Sequence, residues 1–141
     1  MERVLLVDDE QEFLDTLSER MTNRGLEVSK ATTGKQALQK VEEENFDAVI
    51  LDMMMPDMNG IETLKVLKLK NPELQIILLT GHATVEKGLE AMKLGAMDFI
   101  EKPADIDTLM DKIHKAQARK IVLVEEHNRE RIQHIIQEKG W

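Results

Sequence analysis

The chain has 141 residues and a formal net charge of −8, because 27 acidic side chains outnumber 19 basic ones. This length favours one domain, and an apolar share of 42% is sufficient for a hydrophobic core. The absence of cysteine excludes a disulfide framework, a thiolate nucleophile and a cysteine-ligated zinc. Few aromatic side chains are available to stack on bases, which argues against nucleic acid binding. No apolar run has the length of a membrane span or a signal-peptide core, so we expect a cytoplasmic protein.

Short apolar runs and segments with apolar residues at helical spacing alternate along the chain. The runs are typical of strands that are buried on both faces, and the spaced segments are typical of amphipathic helices. In chain order, the predicted elements are a strand at 4–7, a helix at 11–24, a strand at 26–30, a helix that Thr33 opens and that runs through Val41, a strand at 48–51, a helix at 61–70, a strand at 75–79, a helix at 85–94, a strand at 98–100 and a last helix from about Asp105.

Residues at the helix ends support these predictions. Thr33 and Gln36 have the spacing of a capping box, and Gly25 follows the first helix where a left-handed C-terminal cap belongs. The strands lack hairpin turns and are each followed by a helix, so they require right-handed crossovers and a parallel sheet. We therefore predict a three-layer α/β/α sandwich, in which ligands bind outside the carboxyl ends of the strands.

Polar residues stand at or just beyond the ends of four of the predicted strands. Asp8 and Asp9 follow the first strand, Asp52 the third, Thr80 the fourth and Lys102 the fifth. In a parallel sheet these residues all emerge at one edge. A strand that simply ends in solvent explains any one of them, and a helix cap also explains Asp9, but neither explains the whole set.

The acidic residues at this edge repel one another. Two carboxylates about 4 Å apart repel by roughly 4 kcal/mol at an effective dielectric near 20, so a cation or a bound proton must offset them. Oxygen ligands without histidine or cysteine select a hard divalent ion, and a partly open carboxylate site suits Mg²⁺. The four histidines are scattered and form no ligand cluster.

No P-loop, dinucleotide fingerprint, catalytic triad order or kinase signature is present. A carboxylate beside Mg²⁺, with ammonium and hydroxyl donors facing it, is instead suited to attack phosphorus and form an aspartyl phosphate.

The polar residues after the strands belong to four short motifs: Val7-Asp8-Asp9, the segment from Leu51 to Gly60, Leu79-Thr80-Gly81 and Lys102-Pro103. These motifs resemble those of the receiver domain of two-component response regulators. The resemblance covers residues 1–118 and implies a five-stranded sheet of order 2-1-3-4-5. It also implies that the phosphoryl donor is a histidine kinase or a phosphotransfer protein.

The resemblance assigns roles to the residues at the carboxyl edge. It implies that Asp52 is the phosphoacceptor, that Asp9 and the backbone carbonyl of Met54 bind Mg²⁺ directly, and that Asp8 binds it through water.

It further implies that Thr80 and Lys102 sense the phosphoryl group, and that the Lys102-Pro103 bond is cis. Phe99 falls at the aromatic switch position, from which the face built from the fourth helix, last strand and last helix would change shape.

The C-terminal segment, residues 119–141, is predicted to be a helical extension or linker. No glycine or proline interrupts the chain from Ala104 to Lys139, which allows a helix of about 35 residues and roughly 52 Å. Coiled-coil spacing, which would favour a parallel dimer, is shared by Ile121, Val124, Asn128 and Ile135. Arg131 and Glu138 interrupt this seam at two positions. A helix folded against the body and a linker to an output domain are the alternatives.

Three functions fit these features. The first is a phosphorylation-dependent switch that is not an enzyme acting on other molecules, and the second is a Mg²⁺-dependent phosphohydrolase with Asp52 as nucleophile. The hydrolase lacks a companion acid two residues after the nucleophile, where Met54 stands. The third is an interaction module with inert acids.

Overall fold

The computed structural model describes residues 2–53, 55, 59–81 and 85–138. Strands and helices alternate along them in the predicted order. The elements are β1 (Arg3–Val7), α1 (Gln11–Asn23), β2 (Glu27–Ala31), α2 (Gly34–Glu43), β3 (Ala48–Asp52), α3 (Gly60–Lys70), β4 (Ile76–Thr80), α4 (Val85–Lys93), β5 (Asp98–Glu101) and α5 (Ile106–Glu138).

The five strands form one parallel sheet of order β2-β1-β3-β4-β5. Helices α2, α3 and α4 pack against one face, and α1 and α5 pack against the other. The predicted three-layer α/β/α sandwich and its strand order are therefore confirmed.

Alternate residues of each central strand enter different halves of the core. In β1, Leu5 and Val7 pack with α2 and α3, whereas Val4 and Leu6 pack with α1 and α5. Because both faces are covered, β1, β3 and β4 consist almost entirely of buried residues. This explains why the sequence shows continuous apolar runs rather than an alternating pattern.

Local capping follows the sequence signals, and the ends of the elements shift by one or two residues. The hydroxyl of Thr33 accepts a hydrogen bond of 3.1 Å from the Gln36 amide at the start of α2, and Gly25 has a φ of +93° after α1. Helix α3 begins at Gly60 because Asn59 caps it, accepting a 2.9 Å hydrogen bond from the Glu62 amide.

Helix α5 is continuous over 33 residues, which corresponds to about 50 Å. Its buried residues end at Ala116, beyond which Lys120 Nζ donates a 2.6 Å hydrogen bond to the Phe46 carbonyl and His127 contacts Glu73. Residues 125–138 are exposed. The predicted boundary between residues 118 and 119 lies inside this helix. In the part of the chain that the structure describes, no helix is long and apolar enough to cross a membrane.

Candidate functional site: an acidic pocket at the carboxyl edge of the sheet

Three carboxylates meet where β1 and β3 end. Asp8 follows β1, and Asp52 is the last residue of β3, which pairs with β1 in parallel register. Oxygen atoms of Asp8, Asp9 and Asp52 all lie within 4.8 Å of one another. Asp8 and Asp52 are only 2% and 6% exposed, whereas Asp9 is exposed at the mouth of the pocket. The juxtaposition of these three residues that the sequence predicted is present.

The ammonium group of Lys102 reaches into this pocket from the loop after β5. Its Nζ lies 3.0 Å from Asp8 Oδ2 and 3.2 Å from Asp52 Oδ1. Burial of the ammonium acts to lower the pKa of Lys102, but the hydrogen bond to Asp8 and the charges of Asp52 and Asp8 outweigh it and raise the pKa above 10.5. Lys102 therefore stays charged at neutral pH and partly offsets the repulsion among the acids.

Asp8 is held in place from two sides. While Oδ2 accepts from Lys102, Oδ1 accepts a 2.9 Å hydrogen bond from the Glu10 amide. Asp9 does not cap α1, since the cap residue is Glu10 and it makes no side-chain capping hydrogen bond.

Gly60 supports the loop that follows Asp52. Its amide donates a 2.8 Å hydrogen bond to the Met53 carbonyl. A Cβ at position 60 would lie 2.7 Å from Met53 Cα and 2.8 Å from the Asp52 carbonyl oxygen, closer than backbone atoms tolerate. A glycine is therefore required for α3 to begin directly against the end of β3.

Thr80 ends β4, the strand next to β3. Thr80 is fully buried, and its Oγ1 has no hydrogen-bond partner among the described residues. The Thr80 carbonyl accepts a 2.7 Å hydrogen bond from the Lys102 amide, which ties the end of β4 to the loop that carries the ammonium. An unpaired buried hydroxyl is costly, so a partner that reached it would be favoured.

The remaining predicted site residues lie around this pocket. Phe99 is half-buried on β5, where it pairs with Leu78 and its ring faces Gly88 of α4. The Lys102–Pro103 peptide bond is cis. Met54, whose carbonyl the resemblance assigns to the metal, lies outside the described residues.

The chemistry of the donor set fits a hard divalent cation. The cluster that Asp8, Asp9 and Asp52 form offers carboxylate oxygens, with neither histidine nor cysteine among its members. Such ligands suit Mg²⁺ and disfavour zinc.

One neighbour of this site has no signal in the sequence pattern. The ring of Phe13, on α1, lies with its centroid 4.6 Å from Lys102 Nζ. In the sequence Phe13 is one apolar residue in the stripe that α1 turns toward the core, and nothing in that periodicity distinguishes it.

Comparison with known proteins agrees with this architecture. The model of the response regulator receiver domain family matches residues 4–114. The chain belongs to this family. It is a receiver domain of two-component signalling, and its long α5 extends past the end of the match.

Curated relatives include both multi-domain and single-domain proteins. The receiver is 39% identical over 115 residues to the transcriptional regulatory protein ZraR of Escherichia coli K12. The aligned region covers 82% of this chain and 26% of that protein. It is 36% identical to sporulation initiation phosphotransferase F of Bacillus subtilis, covering 81% of this chain and 92% of that protein. The chain thus spans about a quarter of the length of the first of these relatives.

Solved structures show the same fold. A receiver domain protein from Clostridium thermocellum has a TM-score of 0.84 and 32% identity, with 87% of this chain and 99% of that chain covered. NtrX from Brucella abortus in complex with ADP has a TM-score of 0.83 and 28% identity, with 89% of this chain and 29% of that chain covered.

Proposed function

We propose that this receiver accepts a phosphoryl group on Asp52 and acts as a phosphorylation-dependent switch in a two-component phosphorelay. The observation that carries this proposal is the contact of the partly buried Lys102 ammonium with both Asp8 and Asp52, two members of the acidic cluster. A cation fixed beside a carboxylate nucleophile can neutralise the charge on a phosphoryl group that moves toward it.

In the proposed step, a carboxylate oxygen of Asp52 attacks phosphorus. The new oxygen–phosphorus bond forms as the bond from phosphorus to the donor's imidazole nitrogen breaks, and that nitrogen keeps the electron pair. Lys102, already within 3.2 Å of Asp52, then donates to a phosphoryl oxygen. The burial of Asp52 limits the access of water, which favours a persistent aspartyl phosphate over turnover.

Mg²⁺ is the cofactor that this pocket fits, and when bound it would neutralise negative charge on the phosphoryl group. Asp8, Asp9 and Asp52 are the described residues that would hold it. The Met54 carbonyl remains a further proposed ligand.

Thr80 and Phe99 are the proposed switch residues. The buried hydroxyl of Thr80, which has no partner in the part of the chain that the structure describes, gains a hydrogen bond if a phosphoryl oxygen comes within its reach. Such a charge-assisted bond contributes roughly 1.5–3 kcal/mol. Displacing a two-state equilibrium from 1:99 to 99:1 needs about 5.5 kcal/mol, so Lys102 and the cation must contribute as well. The change would pass to Phe99 and to the face formed by α4, β5 and α5.

A histidine kinase or a phosphotransfer protein is the proposed phosphoryl donor, and the proposed location is the cytoplasm. Residues 1–118 would form the receiver, and residues 119–141 a helical extension or a linker toward an output. The chain itself is proposed not to bind nucleic acid. The chain is proposed not to be an enzyme that acts on other molecules. It would promote the phosphoryl transfer to its own Asp52 and the slow loss of that phosphoryl group.

We also propose a homodimer, formed through the exposed side of α5 or through the α4-β5-α5 face. Ile121, Ile132 and Ile135 are 53%, 57% and 46% exposed on the distal part of α5, and Leu89 is 54% exposed on α4. Sedimentation of Ile135→Glu and Leu89→Glu, with and without beryllofluoride, distinguishes the two surfaces. Only the variant in the true interface should lose association.

Incubation with Mg²⁺ and acetyl phosphate tests the function. One stable phosphoryl group per chain is expected. Many turnovers without an adduct would indicate a hydrolase, and the absence of both adduct and turnover would indicate an inert module.

A further inference from the structure

We propose that Phe13 is a positioning residue, which holds the Lys102 ammonium in the acidic pocket through the face of its aromatic ring. This inference rests on the proposed function, because it concerns the group that would stabilise the moving phosphoryl group.

The ammonium has two kinds of neighbour. Asp8 and Asp52 contact it at 3.0 and 3.2 Å, and the centroid of the Phe13 ring lies 4.6 Å from Nζ. This distance is within the range of about 6 Å in which the negative face of an aromatic ring attracts a cation. Lys102 is partly buried and has lost some of its hydration, so the ring supplies an interaction where water would otherwise do so.

The ring itself is anchored. Phe13 is half-buried and packs against the core half that contains α1 and α5. It also lines a cavity of about 180 Å³ with Thr16, Leu17, Arg20, Pro103 and Ala104. Phe13 therefore projects from α1 and shares this cavity with the two residues that follow Lys102, so it can fix the position of the ammonium relative to the sheet.

A ring is chemically suited to this position. It has no lone pair that accepts a proton and carries no negative charge, so it attracts the ammonium without neutralising it. The contact with a ring face is also less directional than a hydrogen bond. The ammonium can thus exchange Asp8 for a phosphoryl oxygen while the ring still holds it.

A series of fluorinated phenylalanines at position 13 tests this role. Each fluorine withdraws electron density from the ring face and changes the volume little. The rate of Mg²⁺-dependent phosphorylation by acetyl phosphate should fall stepwise from phenylalanine to the mono-, di- and trifluorinated residue. The total decrease should be about two- to fivefold, which corresponds to a partly exposed cation–π contact. Phe13→Trp should retain the rate, and Phe13→Leu should match the trifluorinated protein.

A residue that acts only by filling space would give a flat series, and that result would overturn the proposal. A second measurement on the unphosphorylated protein is independent of the rate. The ring current of Phe13 should displace the NMR signals of the Lys102 ε-methylene group, and Phe13→Leu should remove this displacement while leaving those of Lys70 unchanged. An unchanged Lys102 signal would exclude the contact. If neither the wild type nor any variant is phosphorylated, the proposed function fails. The ring-current measurement then still decides whether Phe13 holds Lys102.

Discussion

Asp8 and Lys102 lie 94 residues apart in the chain, yet they form a 3.0 Å ion pair at the carboxyl edge of the sheet. The pair is strongly asymmetric in exposure, because the Asp8 side chain is 2% exposed and that of Lys102 25%. Loss of the ion pair would therefore cost the buried Asp8 carboxylate more than the Lys102 ammonium, which water can still solvate.

Lys102→Met should destabilise the protein in buffer without Mg²⁺. Removal of the ammonium leaves Asp8 and Asp52 buried without their cation, which should lower the free energy of unfolding by about 1–3 kcal/mol. Urea denaturation at neutral pH measures this. Lys70→Met is the matched control, because Lys70 pairs with Glu42 at an exposed site and should matter by less than about 0.5 kcal/mol. Equal effects of the two substitutions would contradict the importance of the buried pair.

Mg²⁺ should stabilise the protein against unfolding, because a ligand that binds only the folded state adds stability by mass action. The melting temperature should rise with Mg²⁺ concentration in the wild type. It should rise much less in Asp9→Asn, whose exposed side chain can be changed without disturbing the buried pair. Asp15→Asn is the control, because Asp15 lies outside the acidic cluster and its replacement should leave the wild-type rise unchanged. If the melting temperature of Asp9→Asn rose as much as that of Asp15→Asn, the ion would bind elsewhere.

Thr80→Val should be neutral or stabilising in the unphosphorylated protein. The two side chains have the same shape, and valine removes a buried hydroxyl that has no partner among the described residues. In the presence of Mg²⁺ and beryllofluoride the wild type should be the more stable of the two proteins, since only threonine can donate a hydrogen bond to the bound anion. Thermal unfolding of both proteins under both conditions measures the change. If Thr80→Val gains as much stability from beryllofluoride as the wild type, the hydroxyl has no role in sensing.

Gly88→Ala tests the packing of Phe99 against α4. Alanine stabilises a helix interior by about 1 kcal/mol over glycine, but a Cβ at position 88 would lie 3.2 Å from Phe99 ring atoms. We expect little or no gain in the wild-type background and a gain of about 1 kcal/mol in Phe99→Ala, where the ring is absent. A double-mutant cycle from urea denaturation measures this coupling, and additive effects would show that the ring does not restrict position 88.

The start of α5 should show a pH-dependent stability. Asp105 accepts hydrogen bonds from the amide and hydroxyl of Thr108, and these bonds lower the pKa of Asp105 below 3.8. Because the folded-state pKa is lowered, the stabilisation is fully present above pH 3.8 and is lost as the pH falls through the lowered pKa. The stability difference between wild type and Asp105→Ala should therefore shrink in that range. Asp105→Ser keeps a cap without a charge, so its difference from Asp105→Ala should stay constant with pH.

The order of elements was predictable because a covered parallel sheet imposes a strong pattern. Val4 to Val7 must be apolar on both faces, and Asp8 directly after them marks where the strand leaves the core. The ends of the helices were less predictable, since Gly60 begins α3 through a close backbone approach to Met53 that no local pattern contains.

The sequence predicted which residues form the site, but it did not predict the side-chain contacts among them. Polar residues after parallel strands converge by topology alone, which brought Asp8, Asp52 and Lys102 together in advance. Two features depend on side-chain packing between separate elements: the position of the Phe13 ring, and the lack of a partner for the Thr80 hydroxyl among the residues that the structure describes. Similarly, the absence of glycine and proline predicted a long α5, whereas its contact at Lys120 required the neighbouring Phe46 carbonyl.

The most direct test of this account is the identification of the phosphorylated residue. After incubation with Mg²⁺ and acetyl phosphate, mass spectrometry of the intact chain and of its peptides should show one phosphoryl group per chain, located on Asp52. Asp52→Asn should remain folded by circular dichroism and acquire none. Stoichiometric labelling of folded Asp52→Asn, or of a different residue in the wild type, would contradict the account.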